Sequence, residues 1–257
     1  MSRTVLVTGA SRGIGAAIAR ELAAGGWNVV AAARTESATE RVARELEAET
    51  GQRALAVAMD VADPNSIRAG VARAREFANE VGPIEALVNN AGIAVSAPLL
   101  GGRSEAGDLY DLHMRVNFHG ARLVAEELLP DMLERGAGCL VNIASSAALQ
   151  GYAYVAAYCA SKHALLGWSR AAAEELRAKG VSVHAICPHY VDSPMLSDSV
   201  ARLVEKTGKS EEEARGFFAA QNPGGRLVTP EEVASSVSRA LAGELTELVL
   251  ELDGSSS

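Results

Sequence analysis

Short, continuous apolar runs alternate with amphipathic helical patterns along most of the chain. The runs lie at residues 4–7, 28–33, 53–59, 85–90, 138–144, 181–187 and 247–252. Continuous apolar strands are typical of a parallel sheet that is covered on both faces. Right-handed crossovers place the intervening helices on both sides of such a sheet. The pattern therefore predicts an α/β fold, with one domain over residues 1–257 built on a doubly wound parallel sheet of about seven strands.

One segment departs from this alternation. Residues from about 188 to 226 are rich in Ser, Gly and Pro, and their pattern predicts one or two short helices. A segment of this length inside a compact domain is usually a lid or a binding element. We therefore expect a substrate lid at about 188–226.

Composition and charge argue against several kinds of partner. The formal net charge is -8 and no block of Lys or Arg offsets it, so a nucleic-acid surface is not expected. No run of about 18 apolar residues predicts a membrane span. The first apolar run begins too early to leave room for a secretion signal. We expect a cytoplasmic protein that binds neither nucleic acid nor a membrane.

Cysteine and histidine usage gives no sign of a metal site. The cysteines, Cys139, Cys159 and Cys187, are too few and too scattered for a disulfide framework or a metal knuckle. They are expected to be buried thiols in a reducing compartment. The histidines show no metal-ligand spacing, so no bound metal is expected.

A glycine-rich stretch, VTGASRGIGAAIA, follows the first predicted strand and opens the first predicted helix. Gly9, Gly13 and Gly15 would let the turn tighten, let the backbone approach a pyrophosphate and let the helix pack close to the sheet. Free N–H groups at a helix start attract phosphate groups. Because the glycines lie between a strand and a helix, they predict a nucleotide site in a Rossmann-like sheet.

The glycine spacing, taken with several other motifs, resembles the short-chain dehydrogenase/reductase family. The shared motifs are Asp60–Val61, NNAG at Asn89–Gly92, Asn117 in a long helix, and Ser145, Tyr158 and Lys162 at the family's spacing. The resemblance extends from Thr4 to LELDG at 250–254, nearly the whole chain. It implies an NAD(P)-dependent oxidoreductase that transfers hydride between the nicotinamide and a ketone or a secondary alcohol.

The resemblance also implies a set of cofactor contacts. They are Gly9, Ser11, Arg12, Gly13, Ile14, Gly15, Arg34, Asp60, Val61, Asn89, Ala91, Gly92, Tyr158, Lys162, Pro188, Val191 and Ser193. Members that prefer NAD carry an acidic residue at the end of the second strand, where this chain has Ala33 followed by Arg34. Arg12 lies inside the glycine loop. Two guanidinium groups can pair with a 2′-phosphate, so NADP(H) is expected to be favoured over NAD(H).

Tyr158 and Lys162 are four residues apart on a predicted helix and therefore share a face. The pair alone is a weak signal. Ser145 strengthens it, because this serine ends an apolar strand at the sheet edge where ligands of open α/β folds bind. Ketone reduction needs a proton for the developing alkoxide. A nearby ammonium and a nicotinamide cation should lower the pKa of Tyr158 from about 10 toward neutrality.

Ser145 is expected to donate a hydrogen bond to the substrate carbonyl oxygen. The resemblance gives Lys162 a second role in binding the nicotinamide ribose, and it gives Asn117 the task of holding a water in a proton relay. Tyr152 and Tyr154 have no such partner, so they are expected to pack in the core or the pocket wall.

The candidate substrate pocket is apolar and aromatic. Its positions are Ala94, Val95, Ala147, Leu149, Tyr152, Val155, His189, Tyr190 and Leu196. None is Lys or Arg, so no clamp for a substrate carboxylate is visible. His189 stands where the family usually has Gly, and Ser193 stands in the place of a usual Thr. The pocket predicts an apolar ketone or secondary alcohol, of a cyclic or aromatic kind.

Two other functions remain open from the sequence. A 3-oxoacyl-thioester (ACP or CoA) reductase would admit only a flexible arm, with an acyl carrier protein docking near Arg135 or Lys179. A non-catalytic dinucleotide-binding sensor would be expected to lack Tyr158 or Lys162. Family members commonly form homodimers or homotetramers, which here would use the helices over about 104–133 and 153–178.

Overall fold

The computed structural model describes residues 3–101, 103–104 and 107–255, and a seven-stranded sheet is its central feature. The strand order is β3-β2-β1-β4-β7-β8-β9, and all neighbours are parallel. The strands of this sheet are β1 (Thr4–Thr8), β2 (Asn28–Ala33), β3 (Ala54–Ala58), β4 (Ile84–Asn89), β7 (Gly138–Ile143), β8 (Val181–Pro188) and β9 (Val249–Leu252). Two further short strands, β5 (Arg103–Ser104) and β6 (Gly107–Asp108), form a separate antiparallel pair. The predicted seven-stranded parallel sheet is confirmed.

Helices connect most of the strands. They are α1 (Gly13–Ala24), α2 (Glu36–Thr50), α3 (Pro64–Val81), α4 (Leu109–His113), α5 (Ala121–Arg135), α6 (Ala156–Leu176), α7 (Pro194–Thr207), α8 (Glu211–Ala219) and α9 (Pro230–Leu241). A π-helical stretch, Met114–Gly120, joins α4 to α5. A 3₁₀ turn, Ser146–Ala148, follows β7. Such π-helical stretches are rare and often occur at functional sites.

Both faces of the sheet are covered. One apolar cluster joins the sheet to α1, α2 and α9 through residues such as Leu22, Leu46 and Val237. The other joins the opposite face to α3, α5 and α6 through residues such as Ile67 and Leu128. Burial on both faces explains why the strands are continuous apolar runs.

The predicted lid segment contains two helices, α7 and α8, and its two ends are tied to each other. Val191 pairs with Val228 in an isolated parallel bridge. The side-chain amide of Asn222 accepts a hydrogen bond from Tyr190 N at 2.9 Å and donates one to Tyr190 O at 2.9 Å. Asn222 is buried, so these bonds are shielded from water. The two ends of the segment are therefore bonded to each other.

The cysteines are buried and form no disulfide, as expected. Among the residues that the structure describes, no group of three potential metal ligands occurs. No helix in those same ranges is long and apolar enough to cross a membrane.

Candidate active site

The glycine loop forms a tight cradle at the carboxyl end of β1. Gly9 and Gly13 have φ of +69° and +56°, a conformation that favours glycine. A methyl group on Gly15 would lie 2.3 Å from the carbonyl oxygen of Gly9, so only glycine fits there. Helix α1 starts after Arg12, whose side chain does not cap it. The first N–H groups of α1 are therefore available to an anion, and the cradle fits a dinucleotide phosphate.

The loop after β4 is bonded to the glycine loop. The hydroxyl of Thr8 accepts the N–H groups of Asn90 and Ala91 at 3.0 and 3.1 Å. In return, the side-chain amide of Asn90 donates to Thr8 O at 3.0 Å. Asn90 and Thr8 were missed as individual residues by sequence reasoning, although both lie beside or within recognised motifs.

The side chain of Asn89, a predicted cofactor contact, is bonded within the protein. Its buried amide donates to Ala121 O and to Asn142 Oδ1, both at 3.0 Å. It therefore ties β4 to β7 and to the start of α5. A contact of its backbone with the cofactor stays a prediction.

Ser145, Tyr158 and Lys162 lie together at the end of β7. The hydroxyl of Ser145 is hydrogen-bonded to the Tyr158 hydroxyl, and its oxygen also accepts the N–H of Ala147 at 3.1 Å. Lys162 Nζ donates to the carbonyl of Ile143 at 2.8 Å and lies 5.8 Å from the centre of the Tyr158 ring. The structure thus brings the predicted catalytic residues into one site.

Burial shifts the pKa values of Tyr158 and Lys162. It raises the pKa of Tyr158 to about 12, and the hydrogen bond from Ser145 opposes this only in part. It lowers the pKa of Lys162 to about 8. The expected lowering of the Tyr158 pKa is therefore not found in the protein alone, because desolvation of the phenolate outweighs the favourable contacts.

Asn117 lies in the π-helical stretch and is almost fully buried. Its Oδ1 accepts Ile93 N at 2.8 Å, and its Nδ2 donates to Ile93 O at 3.0 Å and to Ser161 Oγ at 2.9 Å. Both amide hydrogens are thus used by protein groups, whereas Oδ1 accepts one bond and keeps a second lone pair. The role of Asn117 in holding a water stays a prediction.

The other predicted cofactor residues surround the same edge of the sheet. Asp60 follows β3, and its carboxylate accepts Ala62 N at 2.9 Å. Arg12 and Arg34 are exposed, and neither forms an ion pair with a described residue. A methyl group on Gly13 would lie 3.0 Å from Pro194 Cδ. The start of α7, with Ser193 before it, therefore lies against the glycine loop.

Aromatic rings of the 188–226 segment contact Tyr152, which lies in the turn before α6. The ring of Tyr190 lies 6.1 Å from that of Tyr152 and 5.0 Å from that of Phe218 on α8, centre to centre. The hydroxyl of Tyr152 donates to Ser146 Oγ at 2.9 Å. Phe218 was not predicted, because only the folded segment brings α8 near residue 190. The position of Tyr152 in a pocket wall stays a prediction.

Burial differs among the residues predicted to line the pocket. Tyr154 is not a core residue: it is 69% exposed, has a φ of +65° and lines a surface cavity together with Val95. Leu196 is buried against Val200 and Ala214 in a small apolar cluster between α7 and α8. Ala147 is also buried, whereas Val95 and Leu149 are among the exposed apolar residues. Exposure of single residues in a turn could not be read from hydrophobicity alone.

Comparison with known proteins matches this architecture. A family model described as short chain dehydrogenase matches residues 3–203. Ketoacyl reductase HetN of Nostoc sp. is 34% identical over 249 residues, covering 96% of this chain and 78% of its own. The structure of a variant of actinorhodin polyketide ketoreductase with NADPH is similar at a TM-score of 0.86 and 36% identity, covering 98% of this chain and 96% of the other.

L-sorbose reductase from Gluconobacter frateurii, in a complex with NADPH and L-sorbose, has a TM-score of 0.88 and 28% identity, covering 98% of this chain and 95% of the other. The chain belongs to the short-chain dehydrogenase family. As a short-chain dehydrogenase, it is an oxidoreductase that acts on alcohol or ketone groups.

The closeness of Gly15 to Gly9 gives a direct test of the cradle in this short-chain dehydrogenase. We expect Gly15→Ala to weaken NADPH binding by about tenfold or more and to destabilise the fold by about 1–3 kcal/mol, because the methyl group displaces backbone. Fluorescence titration and thermal melting measure the two effects. Gly167→Ala is the matched control: it lies in α6 with nothing within 4 Å, so stability should hold or rise. Equal NADPH affinity and equal stability of the two variants would contradict the assignment of the glycine loop as the phosphate-binding cradle.

The buried ammonium of Lys162 makes stability depend on pH. Its folded-state pKa of about 8 lies below the ordinary 10.5, so the unfolded chain binds more protons between these values. The free energy of unfolding should therefore rise with pH across this window, by about 3 kcal/mol. Lys162→Met removes the titrating group and should lack this rise. Denaturant unfolding at about pH 7 and about pH 10 measures the change in the free energy of unfolding. An equal change in wild type and in Lys162→Met would contradict this expectation.

Proposed function

We propose that this protein is an NADP(H)-dependent reductase that converts an apolar ketone to a secondary alcohol. The contact of Ser145 with Tyr158, with Lys162 on the same helix face and the glycine cradle beside them, carries the proposal. When bound, the nicotinamide supplies the hydride. The protein's own residues then have to bind the ketone, orient it and deliver a proton.

Tyr158 is the proton donor in this proposal. Because the pKa of Tyr158 is raised to about 12, the phenol carries its proton at neutral pH and can give it to the developing alkoxide. Ser145 donates a hydrogen bond to the same oxygen as charge builds. Lys162, held by Ile143 O, presents an ammonium beside the phenolate that is left. A protonated phenol favours reduction over oxidation at neutral pH.

The preference for NADP(H) is supported by two features. Ala33 ends β2 without a carboxylate, and Arg12 and Arg34 have no ion-pair partner among the described residues. Both guanidinium groups are thus free to pair with a 2′-phosphate. Two similar structures, the ketoreductase and the sorbose reductase, were solved with NADPH.

The substrate class is supported by the aromatic wall. Tyr152, Tyr190 and Phe218 lie in ring contact at the lid side of the site. Planar rings pack well on such a wall, and aromatic contacts contribute about 0.5–1.5 kcal/mol beyond area burial. This favours a cyclic or aromatic ketone.

A second candidate is reduction of a 3-oxoacyl thioester, which the names of the ketoacyl and polyketide relatives favour. The predicted docking of a carrier protein near Arg135 or Lys179 stays a prediction. Arg135 donates to the carbonyl of Ile84 at the start of β4, and Lys179 lies two residues before β8. Both residues lie at the amino edge of the sheet, so the flexible arm of a carrier docked there would have to reach the site at the carboxyl edge.

A non-catalytic sensor is disfavoured because the complete catalytic set is assembled in one place. Assays with NADPH on cyclic ketones and on 3-oxoacyl thioesters separate the two enzymatic candidates. Turnover of thioesters without turnover of free ketones would replace the first candidate by the second.

Tyr158→Phe tests the proton donor. We expect kcat for ketone reduction to fall by about 10²–10⁴-fold, because the alkoxide loses its proton source. NADPH binding should stay within about threefold of wild type, since the ring is kept. Tyr154→Phe is the matched control: its ring is exposed, so activity should not change. Full turnover by the Tyr158 variant would remove the proposed mechanism.

The cofactor preference can be tested at its two guanidinium groups. Arg12→Ala and Arg34→Ala should each lower the ratio of NADPH to NADH efficiency by about tenfold, the loss of one charged contact to phosphate. Ala33→Asp with Arg34→Ala should reverse the preference. Arg44→Ala, an exposed change on α2, is the control. An unchanged ratio in the first three variants would rule out the assigned phosphate site.

A further inference from the structure

His189 continues the β8–β9 ladder by one step. Ala185 N donates to Leu248 O at 2.7 Å. Four residues further along both strands, His189 N donates to Leu252 O at 2.9 Å. Side chains alternate along a strand, so His189 lies on the same face as Ala185 and Cys187. That face packs against α6 and the turn after β7, through Leu166 and Ala148.

The neighbour Cys187 shows how close this face is to the catalytic residues. Burial raises the pKa of Cys187 to about 11, while a hydrogen bond from the backbone of Ser145 and the ammonium of Lys162 lower it and the carboxylate of Glu251 raises it. The thiol is therefore near the backbone of Ser145, and Cys187 is also the register partner of Glu251 on β9. His189 lies two residues further toward the carboxyl edge, about 6–7 Å along the strand. Its backbone therefore lies at the carboxyl edge, one strand away from the Ser145 turn that follows β7.

One ring nitrogen of His189 is used and the other is not. Nε2 lies 2.6 Å from Glu251 Oε1, and the side chain is only 2% exposed. An ionised carboxylate can only accept, so Nε2 carries the hydrogen. In the neutral tautomer with its hydrogen on Nε2, Nδ1 carries a lone pair and can accept a hydrogen bond. It is buried and has no hydrogen-bond partner among the described residues.

Buried polar atoms in folded proteins are nearly always paired, so an unpaired one calls for an explanation. The tie to Glu251 holds the ring in one orientation and one tautomer. A buried acceptor in a fixed orientation, at the carboxyl edge of the sheet where ligands of such folds bind, favours a ligand group that donates a hydrogen bond. Gly, which the family usually has at this position, could not supply such an acceptor.

We propose that His189 is a specificity residue whose Nδ1 accepts a hydrogen bond from a hydroxyl group of the substrate. The substrate is then a hydroxylated cyclic ketone, with its carbonyl at Tyr158 and its hydroxyl at His189. This inference rests on the proposed ketone reductase function. It adds one polar contact to a pocket that is otherwise apolar and aromatic.

Two variants separate the two ring nitrogens. His189→Gln can keep the donor to Glu251 and lacks an acceptor at the Nδ1 position. His189→Asn can place an amide oxygen near the Nδ1 position and gives up the contact with Glu251. The readout is the ratio of kcat/KM for each ring-hydroxylated cyclohexanone to kcat/KM for cyclohexanone, with NADPH. A misfolded fraction lowers both values equally and leaves the ratio unchanged.

Wild type should prefer at least one hydroxylated ketone, and His189→Gln should lower that ratio by about tenfold to a hundredfold. His189→Asn should retain more of the preference than His189→Gln. An unchanged ratio in His189→Gln, or no preference in wild type, would overturn the inference while leaving the proposed reductase function intact. Failure of wild type to reduce any ketone in the panel would instead contradict the proposed function, and the inference with it.

Discussion

The side-chain amide of Asn117 is the constraint on which the site depends. It holds both backbone groups of Ile93, in the loop after β4, and the hydroxyl of Ser161 on α6. Ser161 immediately precedes Lys162, so one buried amide sets the distance between the nucleotide-side loop and the catalytic helix. In a dry environment such bonds are strong, and their loss would leave several buried groups unpaired. Asn117 belongs to the π-helical stretch Met114–Gly120, which therefore positions this amide in the site.

Around that constraint, the site keeps ionisable groups in unfavourable surroundings. Burial disfavours both the phenolate of Tyr158 and the ammonium of Lys162. The cost is tolerated because the sheet and helices on both faces supply the stability of the fold elsewhere. A phenol and an amine that resist ionisation can exchange protons when a charged cofactor and a carbonyl substrate enter.

Much of the fold and of the chemistry could be predicted because both depend on the regular spacing of residues along strands and helices. Apolar runs gave the seven parallel strands, and four-residue spacing gave the Tyr158–Lys162 face. The sequence was a poorer guide to the direction in which individual side chains point. Asn89 and Asn90 are adjacent and point to opposite sides, and only Asn90 reaches the glycine loop.

Contacts between segments that are far apart in the sequence could not be predicted either. Phe218 reaches Tyr190 only through the packing of α8, and the positive φ of Tyr154 belongs to a turn whose path hydrophobicity does not describe. The Tyr158 pKa was predicted from charges, but the amount of solvent excluded by the fold decides its direction. The sequence likewise does not show which edge of the sheet Arg135 and Lys179 approach, and the structure places both at the amino edge.

The bonds at the two ends of the 188–226 segment have a consequence for how it can vary. Val191, Val228 and Asn222 hold the chain that enters the segment beside the chain that leaves it. The start of α7 is fixed a second time, because Pro194 lies against Gly13 of the glycine loop. Side chains on the outer faces of α7 and α8 can therefore differ while the sheet beneath them keeps its shape.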